Sequence, residues 1–179
     1  MPQSTKRIFL LMVRYPGPFA DAMVHCTRYG YTHATIGLEE DLNNFYSFMR
    51  KGFVVEKVTR YLKPGREPFP CALYEIPVSR KTYKRVRRLI SSYTARKKFL
   101  KYTHFSLFWC FLGIPWALRN RYFCTEFVAE VLKRADVGYL PKHHALCLPK
   151  DFHKMPQTRL IFAGNTQTMV DHYALAESC

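Results

Sequence analysis

Apolar residues run from Ile8 to Val13 within Arg7–Tyr15 (RIFLLMVRY), and Pro16-Gly17-Pro18 closes the run. A short aliphatic stretch bounded by turn formers predicts a buried strand. Phe19, Ala20, Met23, Val24 and Tyr29 then recur at helical spacing, which predicts a helix entered through Pro18 and stopped by Gly30. Thr32–Glu39 (THATIGLE) reads as a second strand. Alternation puts His33, Thr35, Gly37 and Glu39 on one of its faces and Ala34, Ile36 and Leu38 on the other. Glu40–Asn44 reads as a polar turn, Phe45–Arg50 as the returning strand of a hairpin, and Gly52–Tyr61 as a third strand.

Pro64, Gly65, Pro68 and Pro70 mark a loop, and Cys71–Val78 (CALYEIPV) a further strand. Ser79 is placed to cap a long helix reaching about Leu100, with Tyr83, Val86, Leu89, Ile90 and Tyr93 on its apolar face. The longest apolar stretch, Phe105 to Leu118, is broken by Gly113 and Pro115. A membrane span needs about 20 residues, so this segment is expected to be a core helix or a hydrophobic loop, and no integral membrane segment is expected. Phe123–Ala135 is a strongly amphipathic helix. Gly138, Pro141 and Pro149 break the region after it, Thr158–Ala163 reads as a last strand, and Thr168–Leu175 as a closing helix. This order predicts an α+β fold with a mainly antiparallel sheet.

Composition narrows the class. A chain of 179 residues is expected to form a single domain, 1–179. Its 48% hydrophobic and 16% aromatic content exclude a disordered chain. Six cysteines at 26, 71, 110, 124, 147 and 179 form no small-scaffold pattern, and several lie in apolar stretches. Reduced thiols and a cytoplasmic location are the expectation. The apolar run that Arg14 interrupts is shorter than the roughly 7–15 residues of a signal-peptide core. No CxxC pair occurs; His143, His144 and Cys147 make one loose cluster, so neither a metal nor a cofactor is expected.

Cys124 has the most informative surroundings. Phe127, Val128, Val131, Leu132 and Ala135 form one apolar face, and Cys124 falls in the first turn of the same helix. Glu126 and Glu130 near the start, with Lys133 and Arg134 at the end, suit the helix dipole. A helix N-terminus favours a thiolate, which can attack a carbonyl while its own backbone N–H meets the resulting oxyanion. A buried structural thiol is the alternative. Among seven histidines, His33 stands at the start of a strand, where rigid backbone can hold a base.

The segments THATIGLEEDLNNFYSF and, about 90 residues later, YFCTEFVAEVL resemble the circularly permuted papain-like hydrolases. These include the YiiX-like amidases and, more distantly, the NlpC/P60 and lecithin:retinol acyltransferase groups. The short form C-[ST]-x-F-V-A matches Cys124 to Ala129. Tyr46-Ser47-Phe48, Gly52-Phe53-Val54-Val55-Glu56 and Leu148-Pro149-Lys150-Asp151-Phe152 look like a bacterial branch of that group. The resemblance implies a permuted papain-like fold whose sheet packs on the nucleophile helix, with Cys124 as nucleophile and His33 as base. It also implies a third polar residue that orients the histidine. Counting through the hairpin puts Ser47 nearest that place, with Glu56 on the next strand as the alternative and a plain dyad as a third case. YiiX-like members are expected to carry a glutamate there. Related enzymes use a tyrosine near the oxyanion, and Tyr102 lies suitably upstream.

The formal net charge is +15, and positions 80–101 hold ten Lys or Arg residues and no Asp or Glu. A solvated helix face would look the same, but such a face also suits an anionic partner. Three readings fit these features. The first is a cysteine amidase or peptidase acting on a peptide or amide through an acyl-enzyme. The second is a lipid thioesterase or acyltransferase on the same fold, acting on a lipid ester. The third is a basic binding module with no catalysis.

Overall fold

The computed structural model describes residues 5–39, 41–58, 67–140 and 142–177. The expected turn residue Glu40, the far end of the third strand at 59–61, the loop residues Pro64 and Gly65, Pro141 and Cys179 lie outside the described residues.

The aliphatic run becomes β1 (Lys6–Val13), whose last six residues are buried. A strand apolar on both faces must lie inside a sheet, and β1 does. It pairs antiparallel with β2 (His33–Leu38) on one side and β5 (Pro70–Val78) on the other. With β3 (Asp41–Met49), β4 (Gly52–Lys57) and β8 (Arg159–Asn165), these form a six-stranded sheet of order β4-β3-β2-β1-β5-β8. Every pairing in it is antiparallel. A separate two-residue parallel ladder joins β6 (Lys101–Tyr102) to β7 (Arg121–Tyr122). The expected polar turn at 40–44 is largely strand, since β3 begins at Asp41 and a register shift at Gly37/Leu38 absorbs the extra residues.

Helix α1 (Pro18–Thr27) links β1 to β2 and is capped by Arg28 in the left-handed conformation, two residues before Gly30, its expected stop. Helix α2 (Arg80–Ala95) is capped as its sequence predicts, with Ser79 Oγ accepting from the Thr82 N–H. It ends earlier than expected, giving way to a tight turn at Lys97–Phe99. Helix α4 (Cys124–Ala135) packs against β2, β3 and α2. Its apolar face meets Ala34, Ile36, Phe48 and Phe53 beneath Tyr83, Val86 and Ile90. Phe127 is fully buried and contacts the rings of Phe48, Phe53 and Tyr93; such a ring stabilises a core by about 3–5 kcal/mol relative to alanine. The opposite sheet face carries Phe9, Leu11, Val13, Phe45 and Leu73, covered in part by Met169 and Val170 of α6 (Thr166–Glu177).

The segment expected to be core helix or hydrophobic loop differs most from expectation. It forms α3 (His104–Phe111), which buries only one side and leaves Phe105, Phe108 and Phe111 exposed. Helix α5 (Pro149–Phe152) is a single turn. No helix among the described residues is long and apolar enough to cross a membrane.

Candidate active site

Two parts of the chain far apart in sequence converge on one cleft. His33 opens β2, where main-chain pairing with Val13 of β1 fixes its backbone. Cys124 opens α4, whose first turn is tied down at several points. Glu126 Oε2 accepts from the Phe123 N–H at 3.4 Å, and Thr125 Oγ1 donates to the Cys147 carbonyl at 2.6 Å. Both side chains line a cleft of about 460 Å³, with Tyr15, Tyr102, His104 and Leu107 among its walls. The Cys124 thiol is near enough to the His33 ring to help raise its pKa. The two side chains singled out in the sequence are thus brought together by folding.

The far side of the imidazole differs from the hairpin count. His33 Nε2 lies 2.7 Å from Glu56 Oε1, and both residues are buried. With Nε2 engaged, Nδ1 is the nitrogen left to face the thiol. Ser47, the residue the count favours, is also buried, but its hydroxyl donates to the Ala34 carbonyl at 2.8 Å. The reason is electrostatic. A buried carboxylate needs a donor or a cation, whereas a serine hydroxyl is satisfied by any nearby carbonyl. Ser47 thus braces β3 against β2 and is not the partner of the ring.

Tyr15 is a residue that sequence reasoning misses. Its hydroxyl donates to Glu56 Oε2 at 3.0 Å, and its ring lies 5.2 Å from the His33 ring. Its own N–H donates to Thr32 Oγ1 at 3.2 Å, which links the end of β1 to the start of β2. Its position just after a buried strand and before Pro16 is the one local signal, and that signal says nothing about an oxygen 41 residues away.

Burial by itself would lower the pKa of His33. The charge of Glu56 first, then the neighbouring Cys124 thiol, overcome burial and push it up to about 10. The ring is accordingly disposed to hold a proton beside the sulfur. Tyr102 keeps its phenolic proton far into the alkaline range because of burial and the neighbouring Cys124, against the opposing pull of Arg50. Glu126 is buried, and its Oε1 has no hydrogen-bond partner among the described residues. Burial raises its pKa to about 8, opposed by the Phe123 N–H and aided by Glu130.

The loose cluster at 143–147 does not assemble toward a common centre. His143 Nδ1 accepts from the Ala145 N–H at 3.3 Å, and the Cys147 thiol donates to the His143 carbonyl at 3.6 Å. Among the described residues no group of three or more His, Cys, Asp or Glu side chains could hold a metal ion.

No family model and no curated protein sequence matches this chain. Its fold is similar to the crystal structure of a protein described as the metalloprotein YiiX from Escherichia coli O157:H7. The TM-score is 0.59, the identity is 14%, and the match covers 92% of this chain and 99% of that one. The word metalloprotein is said of that neighbour. At this identity the likeness carries the architecture, an α+β YiiX-like fold with a mainly antiparallel sheet.

Proposed function

We propose that this protein is a cysteine hydrolase of the permuted papain-like kind, acting on an amide or peptide bond. The carrying observation is that Cys124, His33 and Tyr15 line one cleft, with the buried Glu56 joined to both the His33 ring and the Tyr15 hydroxyl.

His33 takes the Cys124 proton, and Glu56 stabilises the imidazolium so formed. The thiolate attacks the carbonyl carbon, forming a C–S bond and placing negative charge on the carbonyl oxygen. First-turn N–H groups of α4 and the Tyr102 hydroxyl donate toward that oxygen, a role supported by Tyr102 and Cys124 lining the same cleft. As the tetrahedral centre collapses, the C–N bond breaks and the imidazolium protonates the departing amine. Water, deprotonated by the neutral ring, then attacks the thioester; the acid departs and the sulfur leaves as thiolate, restoring the pair. Ser47 has no part in these steps.

Native iodoacetamide labelling tests the reading. Cys26 is exposed and serves as the reference thiol, while burial pushes the Cys71, Cys110 and Cys147 thiols up to about 12. Cys124 is expected to react fastest near neutral pH, and His33→Ala to abolish that advantage. Reaction of Cys124 no faster than Cys26 would rule out an activated thiolate.

A further inference from the structure

Helix α3 has an outer face that the hydrolase reading does not use. Leu107 and Cys110 turn inward, packing with Phe123 and Leu148. Phe105, Phe108, Phe111, Leu112, Ile114 and Trp116 are each between 41% and 58% exposed. This is one organised patch. Trp109 and Trp116 stack at 5.9 Å, and Phe105 meets both edge-on at 5.6 and 6.1 Å. Contiguous exposed apolar surface of this kind marks an interaction site.

Charge borders the patch. Lys101 and Arg121 sit side by side in the parallel ladder that brackets α3 and its following loop, and Arg119 precedes them on the same return. Lys97, Lys98 and the 73%-exposed Phe99 lie just before that ladder. No acidic residue occurs between Glu75 and Glu126. Aromatic and aliphatic side chains flanked in the chain by Lys and Arg match the chemistry of an anionic bilayer surface. A second copy of this chain fits worse, because a two-fold contact would set the same cations against one another. A single-stranded nucleic acid would stack on Phe and Trp but would leave Leu112 and Ile114 uncovered.

We propose that α3 and the loop after it seat this protein on the surface of a bilayer carrying anionic headgroups. Phe105, Phe108, Leu112 and Trp116 enter the acyl boundary, and Lys101, Arg119 and Arg121 meet the headgroups. At eight residues α3 is about 12 Å long, enough to lie in the interface and too short to cross it. His104 and Leu107, at the start and on the inner side of the same helix, line the cleft that holds Cys124. Seating α3 therefore puts a helix that forms part of the cleft wall at the membrane surface.

The test is co-sedimentation of the whole chain with phosphatidylcholine vesicles, with and without about one-fifth phosphatidylserine. Binding is expected only with phosphatidylserine, weakening as salt rises. Bromine-labelled acyl chains are expected to quench tryptophan fluorescence of the unsubstituted protein, a readout that needs no variant. The pair F108S and L112S should cut binding by about tenfold or more, with an unchanged melting temperature. Binding by Cys124→Ala keeps the result separate from the hydrolase reading. Absence of binding to the anionic vesicles, or binding indifferent to F108S and L112S, overturns the proposal. So does a dimer, or a complex with a single-stranded oligonucleotide, that depends on Phe108 and Leu112 while vesicle binding does not.

Discussion

Glu56 Oε1 lies 2.7 Å from His33 Nε2, in a place from which water is excluded. The same carboxylate accepts the Tyr15 hydroxyl through its other oxygen at 3.0 Å. A charge so buried is tolerated when its lone pairs are met, and here they are met by a ring and a phenol that both face the cleft.

Glu56→Gln should leave the cleft intact while removing the charge that raises the His33 pKa. Hydrolysis is expected to fall by about 10²–10⁴-fold, and the alkylation profile of Cys124 to move to higher pH. Circular dichroism checks that the variant folds. An unchanged alkylation profile would detach Glu56 from the ring's chemistry.

Tyr15→Phe keeps the ring contact with His33 and deletes one hydrogen bond to a carboxylate. A loss of about 1.5–3 kcal/mol is expected by urea denaturation. Activity should fall less than in Glu56→Gln, because the carboxylate still holds Nε2.

Ser47→Ala separates bracing from chemistry. Its hydroxyl meets the Ala34 carbonyl, so stability should drop by about 1 kcal/mol while the Cys124 alkylation rate stays within about twofold. A large loss of reactivity at unchanged stability would return Ser47 to the site.

The pH dependence of stability has a definite sign. His33 is raised in the fold, so its contribution is complete below about pH 6.5 and is lost as pH climbs through about 10. Glu126, raised to about 8, lowers stability progressively from about pH 4.5 to 8, because its carboxyl ionises in the unfolded chain while burial keeps it protonated in the fold. Glu126→Gln should be near neutral at pH 5 and stabilising above pH 8, by on the order of 2 kcal/mol. Denaturation curves at about pH 5, 7 and 8.5 would show both slopes, and a variant equally stable to wild type at every pH would contradict the assignment.

Periodicity alone determined most of the elements. The buried β1, the THATIGL strand, the capped α2 and the amphipathic α4 depend on local spacing and caps, which are written directly in consecutive residues. The same local logic put Cys124 at a helix start and His33 at a strand start. Tertiary structure decided the rest. Whether Ser47 or Glu56 meets the imidazole depends on which side chain finds another partner first, and Ser47 finds a carbonyl that no sequence spacing reveals. Tyr15 reaches Glu56 across 41 residues, a contact set only by the docking of two strand ends. The apolar 105–118 segment has the composition of core, yet burial is a property of what lies opposite, and nothing in the described fold covers the outer side of α3.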